Sequence, residues 1–429
     1  MPKIYVGMNS EKKKEFLKLD EGIANHIFIL GQSGAGKTLW MRALAEEIFS
    51  AYRRENKPVY IIILERKHDP SKLKYYLSWW HSLPDKTRKD WEGTFIYAYL
   101  QRALTLASTG YNPGDFALGL PNYPLALMKW TDGRTSILSA HGLKPEAFPN
   151  NRIIFYPDSS KNLDYIRFVN GPRTNVVEGK IPFSVLRFEH IRRFIYVNQS
   201  TNYGRILKDA FDVYKIKKPA DILEVAKQHE FEAGQSLSPR TLQNIMSVVK
   251  ILERHPLFTD DDKKAFWNHL STDRINVIDF SANSRIIEFT EEEELVLRQL
   301  IDFVIRKARY NNIPVYFFID EIQDFIFGNK LIARQIDRLF RLGRSMNITV
   351  IASTQYLHSL PAYMLEGAKH FAVLGYFASD KDKNKVMEFT KSAKRIKLKK
   401  EQQIKPLVGW FVEEKRHVKR LYFRPPQSF

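Results

Sequence analysis

Residues 27–38 read Ile27-Phe28-Ile29-Leu30-Gly31-Gln32-Ser33-Gly34-Ala35-Gly36-Lys37-Thr38, and this stretch decides the fold. Its four leading apolar residues predict a short buried strand, and the eight that follow fill every fixed position of a phosphate-binding loop. A helix-favouring stretch, Leu39 to Phe49, leaves the loop. The glycines let backbone N–H groups turn inward around phosphate oxygens. Lys37 adds a mobile positive charge, and Thr38 offers a hydroxyl to Mg²⁺. The positive end of the helix dipole adds to the same anion site. Strand, loop and helix together predict binding of a nucleoside triphosphate with Mg²⁺ on Gly31, Gln32, Ser33, Gly34, Ala35, Gly36, Lys37 and Thr38.

Working outward, further buried strands are expected at Val59–Leu64, Ile153–Tyr156, Asn276–Phe280, Val315–Ile319 and Ile348–Ala352. They are continuous apolar runs, as strands covered on both faces of a parallel sheet should be. Helical patterns lie between them, notably Glu291 to Tyr310 and Lys330 to Arg341. This alternation predicts an α/β three-layer core with a mostly parallel central sheet and a largely helical insertion. The expected division is 1–75 for the first part of the core, 76–150 for an aromatic-rich insertion, and 151–180 for a core-associated strand region. A mostly helical insertion at 181–272 and the second part of the core at 273–429 complete it. In the helical insertion Ser238-Pro239 opens a helix in N-cap and N1 order.

The strand Val315–Ile319 ends in Asp320-Glu321. An acidic pair delivered at a strand's C-terminal end is the second requirement of a phosphate-loop site. Asp320 would hold the metal and Glu321 would polarise the attacking water. Both motifs fall at the same edge of a parallel sheet, where such folds bind ligands.

Downstream, Gly343-Arg344 precedes the strand that ends Ser353-Thr354-Gln355. With these residues the chain resembles the HerA/FtsK superfamily of DNA-pumping ATPases, which includes conjugative coupling proteins and viral packaging ATPases. The lead-in Asn25-His26, the element Leu64-Glu65-Arg66-Lys67, and Asn276-Val277-Ile278-Asp279-Phe280 agree with it. The resemblance implies a RecA-like P-loop NTPase core with ATP as its nucleotide, and catalytic roles for Glu321, Arg344, Gln355 and Lys37. In it Arg344 is an arginine finger acting on the neighbouring subunit, and Gln355 senses the γ-phosphate. Metal ligation falls to Thr38 and Asp320. A homo-oligomer, a hexameric ring, is implied, with a capsid, a relaxase or a nuclease as its partner. The β-barrel of HerA helicases and the membrane helices of coupling proteins are not expected ahead of the loop.

The composition points to the same class of partner. The net charge is +19 with pI near 9.6, and the chain has no cysteine. Disulfides, thiolate metal sites and cysteine nucleophiles are thereby excluded. So basic a surface attracts nucleic acid or an acidic membrane face; beside a nucleotide site nucleic acid is favoured, and the resemblance implies DNA. From Lys381 to Arg424 fifteen Lys or Arg stand against five acidic residues, including the run Lys394-Arg395-Ile396-Lys397-Leu398-Lys399-Lys400, so this is the expected DNA-facing region. No apolar run is long enough to span a bilayer, and Met1-Pro2-Lys3-Ile4 begins no signal peptide, so a cytoplasmic location is expected, the host cytoplasm for a viral protein. The resulting expectation is a Mg²⁺-dependent ring ATPase that translocates DNA, in genome packaging or mobile-element transfer. A HerA-like helicase in DNA repair and a non-translocating ATPase switch are the alternatives.

Overall fold

The structure, a computed structural model, describes residues 2–19, 25–65, 82, 84–89, 140–143, 148–155, 174–192, 194–195, 197–280, 290–327, 330–343, 345–375, 377, 379–390 and 407–427. Its strands are β1 (Lys3–Met8), β2 (Lys14–Lys18), β3 (His26–Leu30), β4 (Tyr60–Glu65), β5 (Asn150–Ile154), β6 (Thr174–Glu178), β7 (Ile181–Pro182), β8 (Phe258–Thr259), β9 (Ile275–Asp279), β10 (Val315–Ile319), β11 (Ile348–Thr354), β12 (Ala368–Leu374), β13 (Val408–Glu413) and β14 (His417–Phe423). Among the described residues, twelve of them form one sheet in the order β2-β1-β14-β13-β12-β3-β11-β10-β4-β9-β5-β6. From β12 to β6 neighbouring strands run parallel. The strands β13, β14, β1 and β2 extend the sheet antiparallel.

The continuous apolar runs have the cause the sequence suggests. Every residue of β3, β10 and β11 is buried, because both faces of these strands are covered. Phe28 and Leu30 face one core with Phe317, Ile319 and Val350. Ile27 and Ile29 face the other with Ile61, Ile63 and Phe318. Helix α1 (Lys37–Arg54) covers the second face through Leu44 and Ile48. Helices labelled α2 (Asp85–Lys89) and α3 (Phe188–Ile191) are short. The next three, α4 (Asn202–Asp212), α5 (Asp221–Ala233) and α6 (Pro239–Arg254), pack on one another. Ser238 caps α6 by accepting from the Thr241 N–H at 3.2 Å, with Pro239 in its first turn. Ile206, Leu207, Val248 and Leu252 of these helices belong to the same apolar cluster as Phe317 and Ile319, so they share the core of the sheet's first face. That face is also covered by α7 (Glu291–Asn311) and α9 (Lys330–Gly343), through Leu300 and Ile336. Thr290 and Glu293 form the capping box that starts α7, as Thr-x-x-Glu predicts. Between β10 and α9 lies α8 (Ile322–Phe327), and α10 (Ala362–Gly367) and α11 (Asp380–Phe389) flank β12.

The N-terminal strands were not anticipated. β1 pairs with β14, so the two ends of the described chain meet in one sheet. The basic C-terminal region also divides in a way its composition conceals. Arg424 is 1% exposed, and its Nη1 donates to the Ala43 carbonyl of α1 at 2.9 Å, beside Glu46 and Glu47. Lys419 pairs with Glu15 at 3.0 Å and Glu413 at 3.2 Å. These cations are built into the sheet, whereas Lys394, Arg395, Lys397, Lys399 and Lys400 lie outside the described residues, as do Trp79, Trp80, Trp91, Tyr97, Tyr99 and Trp130. Among the described residues no helix is long and apolar enough to cross a membrane.

Candidate active site

The loop Gly31–Thr38 connects the C-terminal end of β3 to α1. Gly36 caps α1 with φ +92, a left-handed backbone that disfavours any side chain, and no side chain caps the helix. The first turn holds no acidic residue, so its amides and dipole suit an anion. Gly31 is required for a second reason. A Cβ there would lie 2.4 Å from the Leu374 carbonyl of β12. Lys37 is buried, and its ammonium donates to the carbonyls of Gly31 at 2.9 Å and Gln32 at 3.2 Å. Its charge therefore sits within the concavity of the loop. The residues present fit a phosphate chain.

The acidic pair arrives beside the loop from β10, with only β11 between β10 and β3. The Thr38 hydroxyl donates to Asp320 Oδ2 at 2.7 Å. Ser353, at the end of β11, donates to Asp320 Oδ1 and accepts from the Glu321 N–H at 2.9 Å. A hydroxyl and a carboxylate held this close, with oxygen donors alone, fit Mg²⁺, which takes one or two protein oxygens and completes its shell with phosphate and water. Glu321 adopts φ +52, rare for a residue with a Cβ. Its Oε1 accepts from Gln355 at 3.1 Å and lies 3.9 Å from Lys37 Nζ, and its Oε2 accepts from Gln323 at 2.5 Å.

The sequence-selected residues Lys37, Thr38, Asp320, Glu321 and Gln355 thus converge at one edge of the sheet, at the ends of β3, β10 and β11. Arg344 lies outside the described residues. Its neighbour Gly343 ends α9 against β3 and β11, where a Cβ would lie 2.7 Å from the Ile348 carbonyl and 2.9 Å from His26. Sequence reasoning did not select Ser353 or Gln323. A serine at a strand end carries no signal until the strands are side by side, and a glutamine two places past an acidic pair carries none until the turn after β10 is known.

A second charged cluster fixes α1 from behind. Arg42 of α1 pairs with Glu65 at the end of β4, and Arg152 of β5 bridges Glu65 at 3.3 Å and the fully buried Asp279 of β9. Burial works against the Arg152 charge, but Asp279 and Glu65 outweigh it and hold the guanidinium above its ordinary pKa. Removing one partner from such a buried cluster typically costs ~3–5 kcal/mol, because the other charge stays behind unpaired. Glu65 belongs to the element Leu64-Glu65-Arg66-Lys67, whose last two residues lie outside the described ones.

The family model described as the central domain of helicase HerA matches residues 4–307. The chain belongs to the HerA family. It is a P-loop ATPase of that type, with the nucleotide-loop residues inside the matched span. The HerA match stops before β10, so Asp320, Glu321 and Gln355 rest on the structure for their place. No curated protein sequence matches the chain. Solved structures that resemble this HerA-family chain include VirB4 of Thermoanaerobacter pseudethanolicus, at 12% identity and a TM-score of 0.46, with 98% of this chain and 96% of that one covered. The bacterial conjugative coupling protein TrwBΔN70 aligns at 10% identity and a TM-score of 0.34, covering 95% and 89%. TrwB in complex with ADP and Mg²⁺ aligns at 11% identity and a TM-score of 0.30, covering 98% and 93%.

Proposed function

We propose that this HerA-family ATPase is a Mg²⁺-dependent motor that assembles as a ring, a hexamer, and moves DNA by hydrolysing ATP. The observation that carries the reading is the convergence of Lys37, Thr38, Asp320, Glu321 and Gln355 on one sheet edge. Lys37 and the amides from Ser33 to Thr38 bind the phosphates. Thr38 and Asp320 hold Mg²⁺, which when bound neutralises charge on the phosphate oxygens. Ser353 keeps Asp320 and the Glu321 backbone in register. Glu321 orients and polarises the attacking water, and Gln355 reports the γ-phosphate to β11. Arg344, the residue after Gly343, reaches the neighbouring subunit's nucleotide and stabilises the transferring phosphoryl group. The net charge of +19 supports a polyanionic substrate.

The test separates binding from chemistry. Lys37→Ala weakens nucleotide binding and hydrolysis together, while Glu321→Gln keeps binding and loses hydrolysis. Parent turnover by Glu321→Gln removes the water-orienting role from that residue.

A further inference from the structure

Glu321 is not presented to the loop as an open base. Gln323 Nε2 donates to its Oε2 at 2.5 Å, Gln355 Nε2 donates to its Oε1 at 3.1 Å, and Lys37 stands 3.9 Å from that second oxygen. A carboxylate whose oxygens already accept from amides has fewer lone pairs left to orient a water. Gln355 and Lys37 belong to the nucleotide machinery and face the phosphate side. Gln323 does not. It comes from the first turn of α8, two residues past Glu321 and on the far side of the left-handed turn at φ +52.

Two further details single out Gln323. Reversing its amide would set an oxygen against a carboxylate oxygen, so chemistry fixes which end faces Glu321. Its own Oε1 is then buried with no hydrogen-bond partner among the described residues. Buried amide oxygens are nearly always satisfied. Gln323 therefore holds Glu321 by its amide nitrogen, while no donor among the described residues holds its other end.

We propose that Gln323 is a positioning residue that restrains Glu321, keeping the carboxylate engaged and catalysis slow until α8 turns the amide away. The inference rests on the reading of Glu321 as the water-orienting group. Helix α8 packs on α9 and on β11, the strand that carries Ser353 and ends just before Gln355. A shift of α8 against these neighbours would release the carboxylate without disturbing the phosphate loop. Restraint of this kind gives the enzyme a low idle rate and a route to acceleration that leaves nucleotide affinity alone.

The experiment compares steady-state Mg²⁺-ATP turnover of the full chain, without DNA, for the parent, Gln323→Leu and Gln323→Met. Both substitutions keep the side chain's approximate bulk and remove the donor. Restraint predicts kcat about threefold higher or more with KM unchanged, an effect that damage to the fold would not produce. Melting temperature identifies which of the two variants folds as the parent does, and that variant is read. A kcat equal to or below the parent's overturns the proposal. Glu321→Gln measured alongside keeps the two ideas apart. If it is inactive while the Gln323 variants are not accelerated, the restraint is wrong and the role of Glu321 stands. If it turns over at the parent rate, the role of Glu321 itself is wrong.

Discussion

Leu407 donates its backbone N–H to the carbonyl of Ala35, inside the phosphate loop, at 3.0 Å. Its side chain lies 3.1 Å from where a Cβ on Gly36 would be, and its own carbonyl accepts from the Phe423 N–H at 2.7 Å. The loop is thus braced by the C-terminal hairpin β13–β14, whose Arg424 also grips α1. Residues about 370 positions apart in sequence, Ala35 and Leu407, shape one anion site.

This contact makes Gly36→Ala a demanding change. The new Cβ meets backbone and side chain of Leu407, and the backbone at φ +92 penalises any side chain by ~1–2 kcal/mol on its own. The loop cannot keep its shape, and nucleotide affinity should fall about tenfold or more, since 1.4 kcal/mol is a factor of ten. Titration with a fluorescent ATP analogue measures it. Parent affinity would show that the brace does not shape the loop.

Ser353 touches both acidic residues, and its removal tests how far the site depends on that bridge. In Ser353→Ala, Asp320 loses a donor and the Glu321 N–H loses its acceptor. Supporting residues of this kind are commonly worth 10–100-fold in metal affinity or activity. Turnover should drop by about that factor, partly recovered at high Mg²⁺. A variant with parent kcat and parent Mg²⁺ dependence would leave Ser353 a packing residue.

The contrast between Ser353 and the residues selected from sequence shows what the sequence made legible. The β3 loop and the β10 acidic pair are contiguous signatures, each a strand followed at once by the chemistry it delivers. The core strands were visible because burial on both faces removes polar residues from them, although β5 begins earlier, at Asn150, with its polar residues absorbed by side-chain hydrogen bonds such as Asn151 to the His269 carbonyl at 2.7 Å. What escaped is what depends on distant pairing. β1 meets β14, Leu407 meets Ala35, and Ser353 meets Asp320 and Glu321 only after the chain has folded. Arg424 reads as one more surface cation in a basic run, yet it is buried against the α1 glutamates.

Stability should fall in acid through His141. The ring is 1% exposed, with Nδ1 2.7 Å from the Tyr5 hydroxyl, and burial, then Arg424 and Lys14, push its pKa down to about 3. An unfolded histidine titrates near its ordinary value of ~6.5. The folded-state pKa is depressed, so this contribution is fully present above that value and declines as pH falls from there toward about 3. Within that window the slope is at most ~1.4 kcal/mol per pH unit. Denaturant midpoints measured at pH 7 and pH 5 should differ less in His141→Gln than in the parent. An equal difference in both would place the acid sensitivity in other groups.

The motor reading meets its most direct test in one measurement: ATP turnover of the full chain with and without duplex DNA, with particle mass recorded in each state, for the parent and for Arg344→Ala. The account predicts a ring-sized particle whose turnover rises with DNA. It also predicts that Arg344→Ala keeps ATP affinity and ring mass but loses most turnover, since a trans arginine supplies ~10³ or more in rate. A parent protein that hydrolyses ATP as a monomer, indifferent to DNA, with Arg344→Ala equally active, would contradict it.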